Sequence, residues 1–183
     1  IGYSFRLKRV PYIDVLIIAS GFLLRVLGGV LLIDVAISRW LLPCTFLLAL
    51  YLALGKRRHE LSAHGEEQAT KQRDVLQYYD LNRVNLLLGI VASLPVLAYC
   101  GYTLDPPTLN KFKTPYLIYT IPFIVFAIVR FQQLIQRGAT TESPTQELLR
   151  DVPSLLNVIL YVVVVVYILY YQPGKDLFRS INL

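Results

Sequence analysis

The amino-acid sequence predicts an all-α, polytopic transmembrane helix bundle, and three observations predict it. Apolar residues fill 55% of the 183 positions, and the mean hydropathy of +0.52 is high for a water-soluble domain. The apolar residues gather into runs of the roughly 17 to 25 residues that a helix needs to cross a hydrocarbon core of about 30 Å. What lies between the runs is polar or proline-containing connecting sequence, so no soluble domain is left over.

Five runs qualify, at about residues 12–33, 38–55, 84–102, 115–131 and 153–171, within a single domain over 1–183. The first follows the basic stretch Arg6, Lys8 and Arg9, opens with Asp14 and carries Arg25. At 100° per residue, Asp14, Gly21, Arg25 and Gly28 fall within about 60° of one another. This stripe of charge and small residues is expected to face the bundle interior, because small residues admit a neighbouring helix and charge is costly in lipid. Asp14 and Arg25 stand about 16 Å apart along the axis, too far for a direct pair. Each therefore needs a partner from another helix, a ligand or water.

The second run repeats the pattern with Thr45, Ala49, Ala53, Lys56 and Glu60 on one face. Its end, "LALGKRRHEL", reads most simply as a cationic anchor with a Lys56–Glu60 pair one turn apart. The two stripes together predict more: Asp14, Arg25, Lys56 and Glu60 are expected to face one cavity suited to a polyanion. Lys and Arg would bind phosphate there, and Asp14 and Glu60 could hold a hydrated Mg²⁺, which takes one or two carboxylates plus substrate phosphates.

Residues 56–83 are expected to form a connector, with Glu66, Glu67, Lys71, Arg73 and Asp74 among few apolar residues. It reads equally as a solvated loop and as a lid over the site. His59 and His64 are about 140° apart on a helix, which does not make a metal pair, and they are expected to be solvated. The third run ends near "TLDPPTLNKFKTP", a proline-rich turn without a chemical signature. The fourth run follows it. The fifth, "VILYVVVVVYILYY", is β-branched and reads as lipid-facing.

Alternating helices divide the cations into two sets. One holds Arg6, Lys8, Arg9, Lys56, Arg57, Arg58, Lys71, Arg73, Arg83, Arg130, Arg137 and Arg150; the other holds Arg39, Lys111, Lys113, Lys175 and Arg179. The larger set is expected on the cytoplasmic side, since basic residues in short loops prefer it. Topology and attraction to anionic headgroups account for the net charge of +6, so no nucleic-acid partner is expected. Cys44 and Cys100 lie in apolar runs and read as small hydrophobes. The chain starts at Ile1 and contains no methionine, so it is expected to be a fragment of a larger protein.

The stretch "YSFRLKRVPYIDVLIIASGFLLRVLGG", followed by "FLLALYLALGKRRHEL" and later "ESPTQELLRDVPSLL", resembles the UbiA superfamily of intramembrane prenyltransferases. Within that superfamily it is most similar to the decaprenyl-phosphate phosphoribosyltransferase branch. The resemblance implies a nine-helix fold of which these are the last five spans. The N-terminal helices of the same protein, with an aspartate-rich motif of the form N-D-x-x-D-x-x-x-D, would then be missing, and the fragment would be inactive.

The resemblance also implies that Tyr3 and Lys8 lie beside the donor diphosphate, with Arg25, Lys56, Arg57 and Arg58 as further substrate-binding residues. Asp14 and Glu60 are the candidate catalytic and Mg²⁺-binding residues, orienting cations or water. Where aromatic-acceptor members carry a second D-x-x-x-D motif, this sequence has Lys56, Arg57, Arg58 and Glu60. The exchange of a carboxylate for cations favours phosphoribosyl diphosphate as donor and a polyprenyl phosphate as acceptor. The expected location is the bacterial inner membrane, with the site facing the cytoplasm. The alternatives are a UbiA-type enzyme that moves a polyprenyl chain to an aromatic acceptor, and part of a transporter, for which no inverted repeat is visible.

Overall fold

The computed structural model describes residues 12–33, 38–72, 80–137 and 144–171, with the side chains of 63–72 and 144–145 left aside. Seven α-helices follow one another: α1 Ile13–Leu32, α2 Leu41–Gln72, α3 Leu81–Leu104, α4 Pro106–Phe112, α5 Ile121–Gln136, α6 Pro144–Arg150 and α7 Val152–Tyr171. A 3₁₀ turn, Tyr116–Thr120, leads directly into α5. No strand occurs among the described residues. The polytopic helical bundle expected from the sequence is the fold.

Four segments are long and apolar enough to cross a membrane: Ile13–Leu32, Leu81–Leu104, Tyr116–Gln136 and Val152–Tyr171. The remaining run, 38–55, lies largely on α2, where Lys56, Arg57 and Arg58 cut the apolar stretch short. The helix itself does not stop there. Residues 56–72 continue α2 to Gln72 instead of starting a loop, because Lys, Arg, Glu, Ala and Gln are good helix formers and nothing in "KRRHEL" breaks the turn. High charge density looks like loop sequence but carries no penalty for a helix that leaves the apolar layer.

α2 is the centre of the packing: α1, α3, α5 and α6 all touch it, and α5 and α7 extend the bundle beyond. The core holds Val15 of α1, Tyr51, Leu54 and Leu61 of α2, Val84 and Leu88 of α3, and Ile128, Phe131 and Ile135 of α5. Tyr51 is fully enclosed and donates its hydroxyl to the Ile128 carbonyl at 2.9 Å, which satisfies a polar group that would be costly to bury alone. Gly55 sets the α2–α5 approach. A Cβ there would stand 2.7 Å from both Ile135 Cδ1 and Phe131 Cε1.

The other end of the bundle is tied differently. The Trp40 indole lies in the space that a side chain at position 101 would fill, so Gly101 is the residue that allows the contact. Beside it Arg39 donates through two nitrogens to Asp105, the residue between α3 and α4. Hydrogen bonds from Arg39 hold the Asp105 carboxyl below its ordinary value. Tyr99 of α3 bonds Thr120 at 2.8 Å and Tyr161 of α7 at 3.2 Å, so three elements share one hydroxyl cluster. The Asn157 amide donates to the Phe123 carbonyl at 3.0 Å, joining α7 to α5.

Candidate functional site

The site is built where α1 begins and α2 leaves its apolar stretch. Asp14 falls in the first turn of α1, where a carboxylate is favoured by the helix N-terminus. It is nonetheless 6% exposed, so it needs a cationic partner. Arg57 provides it: Nε donates to Asp14 Oδ2 at 2.6 Å. The same guanidinium donates to Glu60 at 2.5 Å, one turn along α2. Arg57 is itself 3% exposed, and the planar fork of arginine suits two carboxylates at once.

Arg58 points the other way around α2. Its Nε donates to Asn85 Oδ1 of α3 at 2.9 Å, and a second nitrogen donates to the Ile135 carbonyl in the last turn of α5. That carbonyl is one of the acceptors an α-helix leaves unpaired at its C-terminus. Arg57 and Arg58 therefore fasten α1, α3 and α5 to one turn of α2. Lys56, between this turn and Gly55, is exposed.

A second ion pair lies where α5 meets α7. Arg130 donates to both oxygens of Asp151 at 2.9 and 2.6 Å. Asp151 also accepts from the Ser154 backbone N–H at 3.1 Å and hydroxyl at 2.7 Å, capping the start of α7. Arg130 is the first cause of an Asp151 carboxyl held well below the usual carboxylate range, with the Ser154 bonds adding to it against the opposing effect of burial.

These contacts gather cations that the sequence placed in one set. Asp14 with Arg57, Arg58 with Asn85 and Ile135, and Arg130 with Asp151 tie the start of α1, the middle of α2, the start of α3 and the α5–α7 junction together. Arg39 with Asp105 marks the opposite end.

Of the residues expected to form the site, the structure brings together Asp14, Arg57 and Glu60, with Arg58 adjoining. It does not bring Arg25 or Lys56 into that contact. Arg25 is exposed on α1, its guanidinium 5.4 Å from the Phe22 ring centroid. Tyr3 and Lys8 lie outside the described residues.

Two further sequence expectations are corrected. Glu60 is bonded to Arg57 three residues back, and the simpler Lys56–Glu60 pairing is not the contact the structure shows; burial on the α1 side draws the carboxylate to the inner cation. His59 is not solvated but 1% exposed, because α2 continues as a helix and packs that face against its neighbours. Asn85 was missed altogether. Its signal was a polar residue at the head of the apolar third run, closing the charged start "DLNRVN".

Asp14 and Glu60 do not fit a divalent cation in this arrangement, since one guanidinium already occupies the space between them and pairs with both. Among the described residues no group of three or more His, Cys, Asp or Glu stands together as metal ligands do.

No family model matches the chain. It is similar to a decaprenyl-phosphate phosphoribosyltransferase of Corynebacterium glutamicum, 28% identical over 174 residues, which is 94% of this chain and 52% of that protein. The protein of the same name from Mycolicibacterium smegmatis is 29% identical over 158 residues, 82% of this chain and 49% of the relative. That from Mycobacterium tuberculosis is 24% identical over 151 residues, 82% and 48% of the two chains. The chain thus spans about half the length of the curated relatives it matches, and the resemblance read from its motifs extends over most of its residues.

Proposed function

We propose that this chain is part of an integral-membrane transferase that moves phosphoribose from phosphoribosyl diphosphate to a polyprenyl phosphate. The observation that carries the reading is the cation cluster of α2, fixed at one end of a bundle of apolar helices and beside a buried carboxylate. Relatives named for this kind of transfer match over most of the chain. The site faces the cytoplasm of a bacterial inner membrane in this reading, in keeping with the basic asymmetry.

The cluster divides the work. Arg57 and Arg58 are held by neighbouring helices and position the turn, while exposed Lys56 meets the 5′-phosphate of the donor. Tyr3 and Lys8 meet the diphosphate. A phosphate oxygen of the lipid attacks C1 of the ribose; the C1–O bond breaks, and its electron pair leaves with diphosphate. Positioning and electrostatic stabilisation supply the rate, so no covalent protein nucleophile is required. Mg²⁺ belongs to the reading as a companion of the diphosphate, with carboxylate ligands other than the Arg57-bound pair.

The test is steady-state kinetics of the full-length enzyme with both substrates. Lys56→Ala is expected to raise KM for phosphoribosyl diphosphate and leave KM for the lipid unchanged. Transfer of a prenyl chain to an aromatic acid, with phosphoribosyl diphosphate ignored, would replace this reading with the aromatic-acceptor one.

A further inference from the structure

Arg25 is the charge within an apolar span that the described chain leaves alone. It lies about 18 Å from the Ile13 end of α1 and about 10 Å from the Leu32 end, at 1.5 Å per residue. It is exposed and forms no ion pair among the described residues; its contact is the Phe22 ring one turn back on the same helix. Snorkelling offers little relief, because helical side chains lean toward the N-terminus, which here leads away from the nearer membrane surface. A guanidinium at this depth is costly against lipid and is relieved by a partner within the hydrocarbon layer.

The surroundings indicate what that partner is. Asp14, Gly21, Arg25 and Gly28 lie on one face of α1; α2 covers the Asp14 end through Arg57, Gly21 is half-buried, and Arg25 and Gly28 are exposed. A Cβ at Gly21, Gly28 or Gly29 would meet nothing within 4 Å. Glycines flanking the charge admit a helix backbone at close range. A second copy docking through the same face in parallel would set Arg25 against Arg25, which like charges oppose. The relatives are about twice as long as this chain, so a longer protein has further sequence from which to supply a helix.

We propose that the Gly21–Arg25–Gly28 face of α1 docks a further transmembrane helix that carries an aspartate or glutamate at the depth of Arg25. Carboxylate and guanidinium then neutralise each other in a two-pronged hydrogen bond, and the glycines set the distance. This inference is independent of the proposed reaction.

The test is a membrane two-hybrid reporter. The whole 183-residue chain stands on one side, and a single-span polyleucine helix with one aspartate, moved stepwise along its length, stands on the other. The expected signal peaks when the aspartate matches the depth of Arg25, at about three- to thirty-fold over plain polyleucine. Arg25→Lys lowers the peak without removing it, because the charge stays and the two-pronged bond is lost; Arg25→Leu removes it, and Gly28→Ile lowers it with the charge intact. A signal independent of the aspartate, or one that survives in Arg25→Leu, overturns the proposal. So does Arg25-dependent self-association of the chain, or an anionic lipid that co-purifies with the wild type and not with Arg25→Leu.

Discussion

Replacing Arg57 by alanine removes the guanidinium shared by Asp14 and Glu60. Asp14 is 6% exposed and accepts at 2.6 Å, so the deletion takes the guanidinium away from a buried carboxylate. Removing one partner of a buried ion pair costs about 3–5 kcal/mol. For a chain of this size each kcal/mol moves the midpoint by roughly 2–4 °C, which gives a fall in Tm of roughly 6–20 °C. Cys44 and Cys100, both half-buried, allow the assay: a thiol-reactive dye reports their exposure as detergent-solubilised protein is heated. The double variant Asp14→Leu with Arg57→Met removes both charges and fills the space, and is expected to recover most of the loss. Glu60→Gln is expected to cost less than about 1 kcal/mol, since Glu60 is more exposed than Asp14. An Arg57→Ala midpoint equal to wild type, or a double variant less stable than either single, would refute the account of Arg57 as the strut between α1 and α2.

Lys56→Ala is expected to leave Tm unchanged while raising KM for phosphoribosyl diphosphate by about tenfold or more in the full-length enzyme, the loss of one charge-assisted phosphate contact. Kinetics and melting of one preparation separate this from a folding defect. Gly55→Leu is expected to cost about 1–3 kcal/mol by overpacking against Phe131 and Ile135, and Phe131→Ala in the same chain is expected to restore part of it; melting curves of the two variants and their combination decide. The Asp151 carboxyl is held low in the fold, so its contribution is full above the ordinary carboxylate range and declines as pH falls below about 4. Asp151→Asn is therefore expected to lower Tm at pH 7 and to narrow the gap to wild type on acidification, with Tm measured across the pH series.

Much of the fold was legible because the bilayer imposes a length and a composition on every helix that crosses it. Runs of that length are visible without any knowledge of packing, and observed helices lie on them. The residues at the centre of the site were legible for a related reason. An aspartate at the head of an apolar helix and a triplet of cations at the end of another are expensive features, and expense is visible in a sequence.

The pairing was not legible, because three adjacent cations on α2 differ only in the direction each faces. Composition cannot separate Lys56, Arg57 and Arg58. The rotation of α2 against α1 turns Arg57 inward onto Asp14, the neighbouring position aims Arg58 at Asn85 and the end of α5, and Lys56 is left outside. His59 shows the same limit: its burial depends on whether α2 continues past Gly55, and charge density argued for a loop where helix propensity prevailed. The sequence by itself determined the class of fold, the apolar layers and the charged residues that must find partners. The tertiary structure alone decided which partners they find, because a turn of 100° per residue makes facing depend on how helices cross.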